Sequence, residues 1–135
     1  MPHGCKALVI CCMDYRLQAE LPAILNRLGL RVGEYDLVSL AGSAKGLLAP
    51  WWRPWERWTL LRQIRLAQKL HGITSVLVLA HDDCGAYGIA DWDEENETQK
   101  LDLSRIRVYL RNKFLDLKIQ TGIILGTATG NLHLE

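Results

Sequence analysis

The chain has 135 residues, 49% hydrophobic and 23% charged, a balance that suits one globular unit with a single core and excludes a low-complexity or disordered chain. Its net charge of +1 supplies no basic excess, so neither nucleic acid nor an acidic membrane surface is expected as a partner. Four cysteines are present, but Cys11 and Cys12 are adjacent and Cys5 falls on the same expected strand, so they read as reduced thiols of a cytoplasmic protein rather than as a disulfide framework.

In chain order, the apolar run that ends at Asp14 is too short to span a membrane and lacks a signal-peptide layout. Residues 7–12, with β-branched Val9 and Ile10, predict a strand covered on both faces. Leu17, Leu21, Ile24, Leu25 and Leu28 then recur at helical spacing, with Pro22 suited to a first turn and Gly29 to a stop, so that the helix starts either at Leu17 or only near Leu21. Residues 35–40 predict a second strand, followed by a small-residue turn over 41–46 that leaves backbone amides accessible. Four of the five tryptophans lie between Trp51 and Trp58, reading equally as a loop packed on the core or as a subunit interface.

A helix is expected from Leu60 to a stop at Gly72, on the spacing of Leu60, Ile64, Ala67 and His71. Residues 76–80 form the clearest strand, delivering His81, Asp82, Asp83 and Cys84 at its end. The acidic stretch 91–97 reads as a solvated loop before a helix capped by Asp102 or Ser104, with Leu103, Ile106, Leu110, Phe114 and Leu117 on one stripe. Residues 122–125 return as a strand, and 132–134 form a short edge strand. Two of the four histidines, His3 and His133, lie near the termini and receive no role, and Leu134 with Glu135 reads equally as native sequence or a cloning remnant.

Helices between buried strands predict right-handed crossovers, and hence an α/β, doubly wound, mainly parallel sheet of order about 2-1-3-4 with a short edge strand, as one domain over 1–135. In such a sheet ligands bind beyond the carboxyl ends of strands, where the strand order reverses. Cys12 closes the first strand and His81 the third. If these strands are neighbours, about 4.8 Å apart, Cys12, His81 and Cys84 can converge. Thiolate and imidazole are zinc donors, and three of them leave a fourth corner open, the mark of a catalytic rather than a structural zinc. Cys11 should point to the opposite face and serve the core, as should Cys5. Asp14 and Arg16 lie two and four residues beyond Cys12, where a bidentate guanidinium would keep the carboxylate ionised and able to orient water.

The segments Cys12-Met13-Asp14-Tyr15-Arg16 and His81-Asp82-Asp83-Cys84-Gly85 resemble the two signature motifs of β-class carbonic anhydrases, with 36–42 similar to the strand and turn between them and 122–134 to the closing strand and hairpin. The resemblance is to the compact, archaeal-like branch. It implies reversible hydration of carbon dioxide to bicarbonate, in which zinc lowers the pKa of bound water so that hydroxide attacks the carbon. It also implies that Cys12, His81 and Cys84 hold zinc, and that Asp14 and Arg16 orient the nucleophile or, in an inactive state, Asp14 ligates the metal. Gly42, Tyr15 and Gly85 would border the substrate pocket, completed at the interface of a homodimer or higher homo-oligomer. Tyr15 and Ala80 depart from the small residue and the glycine usual at these positions. Two further readings are a non-catalytic zinc-binding domain and a zinc hydrolase of another small linear molecule such as carbon disulfide.

Overall fold

The computed structural model describes residues 4–134, so His3 and Glu135 lie outside the described residues. The apolar runs become the strands of one sheet, β1 (Ala7–Cys12), β2 (Tyr35–Leu40), β3 (Ser75–His81), β4 (Lys118–Leu125) and β5 (His133–Leu134). Their order is β2-β1-β3-β4-β5, parallel throughout except for the antiparallel β4–β5 pair. The interior strand β1 is buried over its whole length, and the central strand β3 over all but Ser75, which is why neither shows the alternation of a half-exposed strand.

Alternate residues of these strands feed two cores. Leu8, Ile10, Val76 and Val78 pack with Leu60 and Ile64 of α2 (Trp55–His71) and with Leu103, Ile106 and Leu110 of α3 (Trp92–Lys113). On the other face Val9, Leu77 and Leu79 pack with Leu21, Ile24 and Leu25 of the short helix α1 (Leu21–Arg27). Each fully buried Leu or Ile contributes about 1.5–3 kcal/mol relative to exposure. The chain steps from β1 outward to β2, then back past β1 to β3, so right-handed crossovers require α1 and α2 on opposite faces. Because β1 leads toward β2 and β3 leads toward β4, a crevice opens between the carboxyl ends of β1 and β3.

Helix α1 begins at Leu21, the later of its two expected starts, after a 3-10 turn (Tyr15–Leu17), with Pro22 in its first turn. Other expectations change. Helix α2 begins at Trp55, five residues before the expected Leu60, so Trp55 and Trp58 ride on its first turn. The tryptophans do not pack on the core, since Trp51, Trp52, Trp55 and Trp58 are 57–84% exposed. The acidic stretch is not a solvated loop. Asp91 caps α3, accepting from the Glu94 N–H at 2.8 Å, and Glu95 is 2% exposed. Asp102 and Ser104 are therefore interior helix residues. Strand β4 begins at Lys118, four residues early, and β5 is one residue shorter than expected.

Candidate metal centre

Cys12 is the last residue of β1 and His81 the last of β3, so the register that aligns Ile10 with Val78 carries both side chains to the same crevice. Cys84 comes three residues later, on a loop. The Cys12 and Cys84 sulfurs stand 3.9 Å apart, and one ligand atom from each of Cys12, His81 and Cys84 lies within 4.8 Å of the others. All three residues are buried. Cys11 is absent from the group. Its thiol is buried in the core that α1 covers, and burial pushes its pKa up to about 11.

The imidazole of His81 is oriented by its far nitrogen. Nδ1 donates to the Asp82 carbonyl at 2.7 Å and lies 3.3 Å from the Thr127 hydroxyl, which places its proton there. Nε2 is buried without a hydrogen-bond partner among the described residues. An orphaned, lone-pair-bearing nitrogen facing two thiols is costly in a bare protein and is the donor set of a zinc ion, so the residues fit that metal. The Cys84 thiol beside it, with the N–H groups of Gly42 and Asp14, lowers the Cys12 pKa against the opposing effect of burial. Cys84 is raised by that same neighbouring thiolate. Burial lowers the His81 pKa, but Cys12, the Asp82 carbonyl and Asp14 together raise it by more.

Beside the thiolates, Arg16 grips Asp14 in a fork. Asp14 Oδ1 accepts from both the backbone N–H and Nε of Arg16, each at 3.0 Å, while Oδ2 accepts from Nη2 at 2.7 Å. Foremost through the Arg16 side chain, Asp14 is held at about 2. Oδ2 lies 3.8 Å from His81 Nε2. The same guanidinium crosses to the other strand end, Nη1 donating to Asp83 Oδ2 at 2.8 Å and Nη2 to the Asp83 carbonyl at 2.9 Å. One guanidinium thus ties the two motifs together.

Gly42 is buried with φ +78, and a Cβ there would come within 3.2 Å of the Ala86 Cβ, so the turn between the motifs closes on the ligand loop only with glycine. Gly85 is exposed, with open space where a Cβ would lie. Tyr15 is 79% exposed, standing at the surface of the 3-10 turn rather than packed over the ligands.

The motifs did not point to the residues that support the loop. Glu95 on α3 accepts from the backbone N–H of Asp83 at 2.6 Å and of Cys84 at 2.9 Å. Gln99, one turn on, donates to the His81 carbonyl at 2.7 Å. Asp82 turns away from the sulfurs and accepts from the N–H groups of Gly126 and Thr127 and from Trp92 Nε1. Burial opposes ionisation of Asp82, yet these donors outweigh it and lower its pKa. The signal available in the sequence was the run Glu95, Gln99, Leu103, Ile106, Leu110, which continues the apolar stripe of α3 with two polar residues at its start. A cavity of about 520 Å³ lies elsewhere, over Leu77, Leu79 and Gly122, and none of the site residues lines it. Chemistry rather than volume locates the site.

A parallel sheet whose switch point gathers two cysteines and a histidine beside an Asp–Arg pair defines the class of β-carbonic-anhydrase-like proteins. A family model described as "Putative carbonic anhydrase" matches residues 2–121, and the chain belongs to that family. An uncharacterized protein of Rickettsia conorii is 32% identical over 123 residues, covering 86% of this chain, and the chain spans 65% of that protein's length. A second, from Rickettsia bellii, is 31% identical over the same length, covering 86% of this chain and 74% of its own. Among solved structures, a carbonic anhydrase of Streptococcus mutans superposes with a TM-score of 0.64 at 21% identity, over 99% of this chain and 84% of that one. A tetrameric β-carbonic anhydrase of Sordaria macrospora gives 0.66 at 12% identity, over 98% and 81%. The likeness to these two carries the fold.

Proposed function

We infer that residues 1–135 form one zinc-binding unit that hydrates carbon dioxide reversibly to bicarbonate. Cys12, His81 and Cys84 hold the zinc, and the unpartnered Nε2 of His81 facing two sulfurs is the observation that carries this reading. When bound, zinc supplies Lewis-acid activation of water near neutral pH. Metal uptake releases the proton of Cys84, because a thiol ligates as thiolate.

Asp14 orients the attacking water. Each carboxylate oxygen has two lone pairs, and Oδ1 has spent both on Arg16, whereas Oδ2 has accepted a single bond. The oxygen with capacity left is the one nearer His81. Arg16 fixes that choice and keeps the carboxylate ionised. Gly42, Tyr15 and Gly85 border the approach of the substrate. All four cysteines are outside disulfides and three of them are buried, a chemistry that suits the reducing cytoplasm. A homodimer or higher oligomer is the assembly this reading favours, in keeping with the tetrameric relative from Sordaria macrospora.

Stopped-flow hydration of carbon dioxide by the zinc-loaded chain, with metal analysis of the same sample, is the decisive test. The native chain should turn over. Asp14→Ala should retain its zinc and lose about 100-fold or more, the scale of a misplaced reacting group. Cys84→Ser should lose most of its zinc. A zinc-replete native chain that hydrates neither carbon dioxide nor carbon disulfide would refute the catalytic reading and leave a metal-binding domain; turnover of carbon disulfide alone would reassign the substrate.

A further inference from the structure

A second set of metal-type side chains meets at the opposite end of the sheet. Cys5 leads into β1, Asp36 is the second residue of β2, and His71 is the last residue of α2. One ligand atom from each lies within 4.8 Å of the others. Three separate segments supply them, and the backbone holds these segments in place: the Cys5 N–H donates to the His71 carbonyl at 3.0 Å, and parallel pairing of β1 with β2 sets Asp36 opposite Leu8. We propose that Cys5, Asp36 and His71 form a second metal site, selective for zinc or another late first-row dication.

The donor set fits such an ion. A thiolate and a carboxylate balance the charge of a dication, and sulfur with imidazole nitrogen excludes magnesium and calcium, which take oxygen ligands. Ligand bonds of about 2.0–2.3 Å in a tetrahedron put donor atoms roughly 3.3–3.8 Å apart, inside the span these three already occupy. His71 Nδ1 and Asp36 Oδ2 now share a hydrogen bond of 2.6 Å, so admitting an ion requires them to part by about 1 Å, a side-chain adjustment rather than a backbone one. The site is reachable, with the His71 and Asp36 side chains about one third exposed, and Cys5 is half-buried and carries no disulfide. Seven residues at about 3.3 Å each separate Cys5 from Cys12, so roughly 23 Å divides the two centres and they share no ligand. The ion would fasten the lead into β1, the start of β2 and the end of α2 to one point.

Metal counting on the full chain, loaded with zinc and then freed of loosely held ion by gel filtration, tests this. The native chain should carry two zinc ions, and Cys5→Ser and His71→Gln one each, with unchanged hydration activity. The chain carrying both Cys12→Ser and Cys84→Ser should keep one ion, and adding Cys5→Ser should remove it. Loading the Cys12→Ser/Cys84→Ser chain with cobalt should give a thiolate-to-cobalt charge-transfer band, which only Cys5 and the core-facing Cys11 remain to supply; the band should vanish with Cys5→Ser. A native chain with a single ion that Cys5→Ser leaves in place would overturn the proposal. So would an ion in the Cys12→Ser/Cys84→Ser chain whose count and spectrum ignore Cys5. Circular dichroism identifies a variant that has not folded; the native count and the cobalt spectrum then decide alone.

Discussion

Asp14 shows how a single side chain can be made directional by its partner. Its pKa of about 2 lies below the ordinary 3.8, so the fold favours the ionised form. That stabilisation is complete above the unfolded value and drains away as the pH falls through the folded one. Asp14→Asn lacks it at every pH. The gap in urea midpoint between native chain and Asp14→Asn should therefore hold steady at neutral pH and shrink from about pH 4 to about pH 2; a gap unchanged across that window would mean that the Arg16 fork contributes nothing to folding. Cys12, Asp14, Arg16, His81 and Cys84 were legible in the sequence because unbroken apolar runs ending at Cys12 and Ala80 fix where strands stop, and residues just past a strand's carboxyl end in a doubly wound sheet face the crevice. Glu95, Gln99 and Asp82 were not, because a buried carboxylate with backbone donors is written in the same letters as a solvated one.

Helix α3 both covers the sheet and holds the ligand loop. Asp83 adopts φ +52, an uncommon conformation for a residue with a side chain, between β3 and the proposed metal ligand Cys84. Two contacts hold it there: Arg16 on its carbonyl and carboxylate, and Glu95 on its N–H. Glu95 is almost wholly buried, and its two charge-assisted bonds depend on α3 starting early enough for its first turn to reach the loop. Reading 91–97 as a loop missed this because acidic residues dominate the segment, although Asp91 at the cap with Glu94 three residues on is a helix-start pattern. Glu95→Ala should leave the two N–H groups unpaired at a cost of about 1–3 kcal/mol. It should also weaken zinc retention in a chelator competition, since Cys84 sits on the freed loop. Retention equal to native would show that the sulfurs position themselves without α3.

At the scale of the whole molecule, the uneven feature is where the apolar surface lies. The sheet and helices bury 33 hydrophobic residues, yet Trp51, Trp52, Trp55 and Trp58 crowd the surface within eight positions. At 57–84% exposure, and with a tryptophan offering 150–250 Å² when buried, they present about 500 Å² of mostly apolar surface. That is most of the roughly 800 Å² per partner in a standard interface, and at the upper end of the roughly 300–600 Å² apolar patches that typical monomers carry and often use for binding. Arg53 stacks on Trp52 at 5.3 Å, an arrangement enriched at subunit contacts. The segment connects Leu48, at the end of the turn that closes on the ligand loop, to α2, so a partner docked here would stiffen the route from the interface to Gly42. Sedimentation should accordingly find the native chain as a dimer or higher oligomer, and Trp51→Ser with Trp55→Ser should shift it toward monomer while circular dichroism stays native. Unaltered mass in that double variant would put the subunit contact on another face and leave the tryptophans without a partner in the assembly.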